Sequence, residues 1–289
     1  SVRLVATRQA MAVRGLDLVL LSAPEHVFYL TGLDHWGYFA PHVLIVAAEG
    51  ELVLVTRAME HVAIRNQVRN ATFIGHSDSE SAADVVVKHL NGASSGKTIG
   101  LESASAGLSY AMGQALKQGI DGASWVDITG MLDEMRLVKS IEEQRFMRSA
   151  AVASDAGTQA AINAIHDGAK EADVAAECLA AMTRAGGTPP GFGPFLRPSH
   201  RMAEEHTTWG DGEHHEAVFL EIAGCVARYN APMGRLVNIG RISDEDAEMA
   251  RICGEAFDAT LRALKVGARA KDVYSGWQSV VDAAGMPEY

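Results

Sequence analysis

Cysteine is scarce in this 289-residue chain: Cys178, Cys225 and Cys253 are the only three, and none stands in a CxxC or zinc-type spacing. That excludes a disulfide framework and points to a reducing compartment, the cytoplasm. No apolar stretch approaches the roughly 20 residues that span a bilayer, and the opening Ser1-Val-Arg-Leu lacks the basic and apolar regions of a secretion signal. Basic charge is short as well. The 25 Lys and Arg stand against 36 Asp and Glu, a formal net charge of −11, with no Lys/Arg block. Nucleic-acid backbones and anionic membranes both require a cationic face, so neither is expected as a partner and a small molecule is. Hydrophobic residues make up 48% and charged residues 21% of the chain, which excludes disorder and leaves room for one large or two medium domains.

Helix-like and strand-like stretches alternate at the start. The amphipathic run from Arg3 to Arg14 stops at Gly15 and gives way to the apolar Leu16 to Leu21, a buried strand. Val43 to Val46, Leu52 to Val55, Thr72 to Ile74 and Thr98 to Leu101 read as further strands, with helices near Met59 to Asn66 and Ala82 to Leu90. The expectation is an α/β domain with a mixed sheet over residues 1–130. A long helix then opens at Ser140-Ile-Glu-Glu143, a capping box in which each partner's side chain meets the other's backbone N–H.

Residues 131–289 carry an internal repeat. Gly168-Ala-Lys-Glu-Ala-Asp-Val174 returns as Gly267-Ala-Arg-Ala-Lys-Asp-Val273, each between two helical stretches. A second cap, Ser243-Asp-Glu-Asp246, matches Ser140 to Glu143, and Gly186 to Pro189 matches Gly285 to Pro287. Strands are expected after the first copy at Phe195 to Leu196, Ala217 to Ile222 and Val226 to Tyr229. The corresponding strands of the second copy would begin where the chain stops at Tyr289, so this domain reads as incomplete and the natural protein as longer.

The stretch that points to chemistry is Ala217-Val-Phe-Leu-Glu221-Ile-Ala-Gly224, where a carboxylate sits inside an apolar strand expected to be buried on both faces. An unpaired buried carboxylate costs several kcal/mol, so Glu221 either serves a reaction or pairs structurally with Arg228 or Arg235. His206 precedes this strand by one hairpin and can pass a proton near pH 7. Tyr229, Asn230 and Arg235 offer a hydroxyl, an amide and a guanidinium near the same strands, and Trp36 and Tyr38 form an aromatic patch able to stack on a cation. His214 and His215 read as solvated turn residues.

The segment from Arg136-Leu-Val-Lys-Ser140 through Glu143, Met147 and Arg148, the repeat, His206, and Glu221 to Arg235 resembles the creatinase/Xaa-Pro aminopeptidase (prolidase) family. Arg8 to Gly15 with Tyr29-Leu-Thr-Gly32 is similar to that family's N-terminal domain. The resemblance implies an α/β (α+β) protein: a smaller N-terminal domain followed by a pita-bread catalytic domain made of two αβ halves. Family peptidases hold two divalent metals, such as manganese or zinc, on Asp, Asp, His, Glu and Glu. Counted back from Arg235, the first two of those positions are Glu221 and Pro232 here, and the other three would lie beyond Tyr289. Glu221-Ile-Ala-Gly-Cys225 with Arg228-Tyr229 and Pro232 resembles the metal-free ectoine hydrolase and creatinase branch, although Asn230 stands where a histidine is usual. In that branch the glutamate attacks a substrate carbon and the histidine shuttles protons. The resemblance thus implies no metal, a hydrolase of ectoine- or creatine-like compounds with Glu221 and His206 as its catalytic pair, and a homodimer in which the Trp36 segment caps the partner's pocket. The alternatives are a metal-dependent Xaa-Pro dipeptidase and a catalytically silent binding protein.

Overall fold

The computed structural model describes residues 2–286, and the chain divides into two compact units, Ser1–Phe146 and Met147–Tyr289. The first contains α1 (Val2–Val13), β1 (Leu18–Leu21), α2 (Pro24–Thr31), β2 (Val43–Ala47), β3 (Leu52–Arg57), α3 (His61–Gln67), β4 (Ala71–His76), α4 (Ala82–Leu90), β5 (Thr98–Leu101), α5 (Tyr110–Gly119), β6 (Ser124–Asp127) and α6 (Met131–Leu137). Its six-stranded sheet runs β4-β3-β2-β1-β5-β6 and is mixed, as the sequence predicts: β1 is antiparallel to β2 and parallel to β5. All four residues of β1 are buried because helices cover both faces. Val19 and Leu21 join Met11, Leu30 and Leu132 on one side, while Leu18 and Leu20 join Val86 and Leu116 on the other.

One polar cluster is built into this unit. His26 lies between Glu102 on Nδ1 and Asp133 on Nε2, and Glu102 also accepts the Ser22 backbone N–H at 3.2 Å. Burial alone would lower the imidazole's pKa. Hydrogen bonds and attraction from the two carboxylates outweigh burial and hold it above its ordinary value.

The second unit contains most of α7 (Ile141–Ala164), then β7 (Ala169–Lys170), α8 (Glu171–Arg184), β8 (Phe195–Pro198), β9 (Glu213–His214), β10 (Ala217–Val226), β11 (Tyr229–Asn238), α9 (Asp244–Ala263) and α10 (Ala270–Ala283). The capping box before α7 forms as expected, with the Ser140 N–H donating to Glu143 at 2.8 Å and the Glu143 N–H to the serine hydroxyl at 3.3 Å. The repeat is visible too. Gly168 and Gly267 both take left-handed φ values (76° and 88°), and each precedes a 14-residue helix. Gly186 and Gly285 follow those helices, again left-handed, while Pro287 and Tyr289 lie outside the described residues.

Three strands in the order β11-β10-β8 position the site. Leu196, Val218, Leu220 and Ile222 form a core with Ala161 of α7 and Val174, Cys178 and Met182 of α8. Side chains alternate along a strand, so packing these residues on the helices turns Phe219 and Glu221 to the opposite face. The strand is therefore not buried on both faces, and Glu221 is only half-buried. The expected strand Val226 to Tyr229 is instead a hairpin turn: Ala227 and Arg228 both have positive φ (49° and 64°), and β11 continues to Asn238. Two left-handed central residues make the turn type that matches strand twist, but the sequence carries neither Asn nor Gly to announce it.

The hairpin is fixed to α7 at Gly224. The Gly224 N–H donates to the Ser154 hydroxyl at 2.8 Å, and that hydroxyl donates to the carbonyl of Ala231, the residue paired with Gly224. A Cβ on Gly224 would lie 2.4 Å from the Ala150 carbonyl oxygen. Gly224→Ala should cost stability at the upper end of the roughly 1–3 kcal/mol of overpacking, seen as a lower melting temperature in thermal denaturation. In the first unit, the stabilisation from charged His26 is complete below the ordinary histidine pKa and is lost as pH rises through the elevated folded value. Melting temperature should therefore fall by a few degrees between pH 6 and pH 9, and His26→Gln should flatten that slope.

Candidate active site

The face of the sheet turned away from the helices brings together Phe195, Arg197, Phe219 and Glu221. Register pairs Glu221 with Phe195 on one side and Gly234 on the other, and pairs Phe219 with Arg197. Phe195 stacks on Phe192 with ring centroids 4.9 Å apart, and the His206 ring meets Phe195 edge-on at 5.9 Å. Both expected catalytic side chains thus meet at one residue, Phe195, which pairs with Glu221 and touches His206. Asn230, paired with Cys225, lies on this same face, four pairs along the ladder from Glu221.

Register sets Tyr229 and Arg235 on the opposite face. Tyr229 pairs with Val226 and Arg235 with Leu220, whose side chain is in the helix-packed core. Arg235 donates to the Gly234 carbonyl. Trp36 and Tyr38 belong to the first unit, in and just before a short 3-10 turn at Gly37–Phe39. Trp36 is 73% exposed, whereas Tyr38 is half-buried, with its hydroxyl donating to the Leu33 carbonyl at 2.9 Å and its ring against His35 and His42.

His206 sits in the segment between β8 and β9 with φ 59°, an unusual conformation for a residue with a side chain. Two anchors hold that segment. Buried Glu171, the first residue of α8, pairs with Arg201 and accepts the Gly210 N–H at 2.7 Å. Nearer His206, the Glu204 carbonyl accepts from Arg197 Nη1 and from the Thr207 hydroxyl, each at 2.9 Å. Arg197 is a candidate that the motifs of the sequence do not single out. An arginine two residues after Phe195 in an apolar strand was the available signal, because strand alternation gives both the same face. His214 also departs from expectation. It is fully buried in β9 opposite Ala169, and burial holds its pKa below the ordinary value, whereas His215 is exposed and bonded to Asp167.

Of the first two ligand positions implied by the resemblance, one holds a carboxylate, Glu221, and the other holds Pro232. Pro232 pairs with Ala223, placing it beside Glu221 on the same face but without a ligand atom. Among the described residues, no group of three or more His, Cys, Asp or Glu side chains could hold a metal ion. Among the same residues, no helix is long and apolar enough to cross a membrane. The face does offer a carboxylate, an imidazole and aromatic walls, a set suited to a small cationic group that needs a nucleophile and a proton shuttle.

Comparison with known proteins places these features in a family. Residues 3–138 match the creatinase/prolidase N-terminal domain and residues 145–289 match metallopeptidase family M24. The chain is 26% identical over 306 residues to an ectoine hydrolase from Halomonas elongata, covering 98% of this chain and 76% of that protein. It is 23% identical over 281 residues to a Xaa-Pro dipeptidase from Pyrococcus furiosus, covering 96% of this chain and 76% of that protein. The prolidase structure from Pyrococcus horikoshii superimposes with a TM-score of 0.87 at 22% identity, covering 100% of this chain and 80% of that one, so the architecture is the pita-bread type of these enzymes. The chain belongs to metallopeptidase family M24 and is a hydrolase of its creatinase and prolidase type.

Proposed function

We propose that this hydrolase cleaves a non-peptide C–N bond in a small zwitterionic or cationic compound of the ectoine or creatine class, without a metal. The observation that carries this reading is the pairing of Ala223 with Pro232, which sets an imino acid rather than a second carboxylate at the neighbouring position on the face of Glu221. A carboxylate released from metal coordination is free to act as a nucleophile. In the proposed reaction Glu221 forms a C–O bond to the amidinium or guanidinium carbon. The C–N bond then breaks as its nitrogen takes a proton from His206. The imidazole next removes a proton from water, which attacks the same carbon and releases Glu221. Phe195 and Phe192 offer π-faces to the substrate cation, and Asn230 an amide.

The same reading makes the protein a homodimer, its exposed Trp36 segment serving the pocket of a second copy. A metal-dependent Xaa-Pro dipeptidase is the second reading, favoured by the similarity to the Pyrococcus furiosus enzyme of that name. On a panel of cyclic amidines, guanidino acids and Xaa-Pro dipeptides, Glu221→Gln should abolish hydrolysis and His206→Ala should slow it about 10²- to 10⁴-fold. Unchanged rates in Glu221→Gln would remove that residue from the mechanism. Exhaustive dialysis against a chelator should leave the rate unaltered, whereas activity that vanishes and returns with manganese or zinc would select the dipeptidase.

A further inference from the structure

We infer that Arg197 is a positioning residue for His206, holding the proton shuttle through the carbonyl of Glu204; the inference rests on His206 being the acid/base. Arg197 is 93% buried, being 7% exposed, and lies on the face shared with Glu221. Among the described residues it has no carboxylate partner, and its one hydrogen bond goes from Nη1 to the Glu204 carbonyl at 2.9 Å. An ion held out of water without a counter-ion is costly, so such an arginine has to be retained by what it organises. Part of that cost is offset where its guanidinium lies over the Phe219 ring, 4.4 Å from the centroid.

Its one hydrogen bond is directed at the backbone of the turn that carries His206. Nε is buried and makes no hydrogen bond, which leaves the bond from Nη1 as the polar tie that fixes the side chain. The group it does reach is two residues before His206. The Glu204 carbonyl takes a second bond from Thr207, on the other side of His206, while the Glu204 carboxylate lies 3.6 Å from Arg201. His206 is thus bracketed by residues tied to one carbonyl, and that carbonyl is tied to strand β8 by a guanidinium that lies over an aromatic ring. A left-handed backbone at His206 persists only where its surroundings impose it. Release of the Glu204 carbonyl would let the turn relax and swing the imidazole off the edge of Phe195.

The test is a double-mutant cycle read with and without turnover. Arg197→Met keeps the aliphatic stem on Phe219 and removes the donor. It should lower kcat about ten- to a hundredfold with KM little changed, and Arg197→Lys, which retains an N–H for the carbonyl, should recover part of the loss. In a His206→Ala background Arg197→Met should cost nothing further. Amide hydrogen exchange across residues 203–208 should quicken in Arg197→Met and in Thr207→Val while α7 and β10 keep their protection. Equal losses in both backgrounds, or unchanged exchange in the turn, would overturn the assignment. If no substrate in the panel is hydrolysed by the unaltered protein, the functional reading fails, and the exchange measurement still decides whether Arg197 holds the turn.

Discussion

The contact between Gly224 and Ser154 is the constraint on which the site's geometry depends. Helix α7 approaches β10 so closely that no Cβ fits, and one serine hydroxyl engages both paired residues of the hairpin, Gly224 and Ala231. That contact allows a single register. Once it is set, alternation sends Val218, Leu220 and Ile222 into the helices and leaves Glu221 facing the other way. A slip of one residue would bury the carboxylate against Cys178 and expose three large apolar side chains. The placement of Glu221 is thus specified by packing on the far side of the sheet.

His206 is specified differently, by a loop pinned at both ends. The carboxylate of Glu171 fixes the Arg201 and Gly210 ends, and Arg197 and Thr207 fix the carbonyl near the centre. The repeat sharpens this point. Glu171 is the fourth residue of the first copy, and the fourth residue of the second copy is Ala270, which carries no carboxylate. The two copies share helices and left-handed glycines, but only the first has the anchor for a loop bearing a histidine.

Features set by local chemistry were legible in the sequence. Leu16 to Leu21, Val43 to Val46 and Thr98 to Leu101 announced their strands through β-branched and apolar runs, and Ser140 to Glu143 announced its cap through side chains bonded three residues apart. What escaped was set by tertiary packing. Ala227 and Arg228 turn the chain although neither is a favoured left-handed residue, because strands on either side demand that turn. His214 is buried because β9 pairs with β7 at Ala169, a partner 45 residues away that nothing local reveals. Arg197 hid for a related reason: an arginine in a short apolar strand reads as an edge residue until the turn that covers it is known.

Pro232 also acts on the outer side of the hairpin. A two-residue turn makes Val226 and Tyr229 exchange hydrogen bonds, so the exchanging pairs continue at every second position and the pair Ala223 and Pro232 falls between them. The imide nitrogen therefore points away from β10, toward the open margin of this three-stranded sheet, where a lost donor leaves the internal ladder whole. Any segment that adds a fourth strand along that margin must cross a position with nothing to offer its carbonyl. One ring thus sets two properties together: it presents no carboxylate beside Glu221 and interrupts the hydrogen-bonding rail on which the sheet would extend.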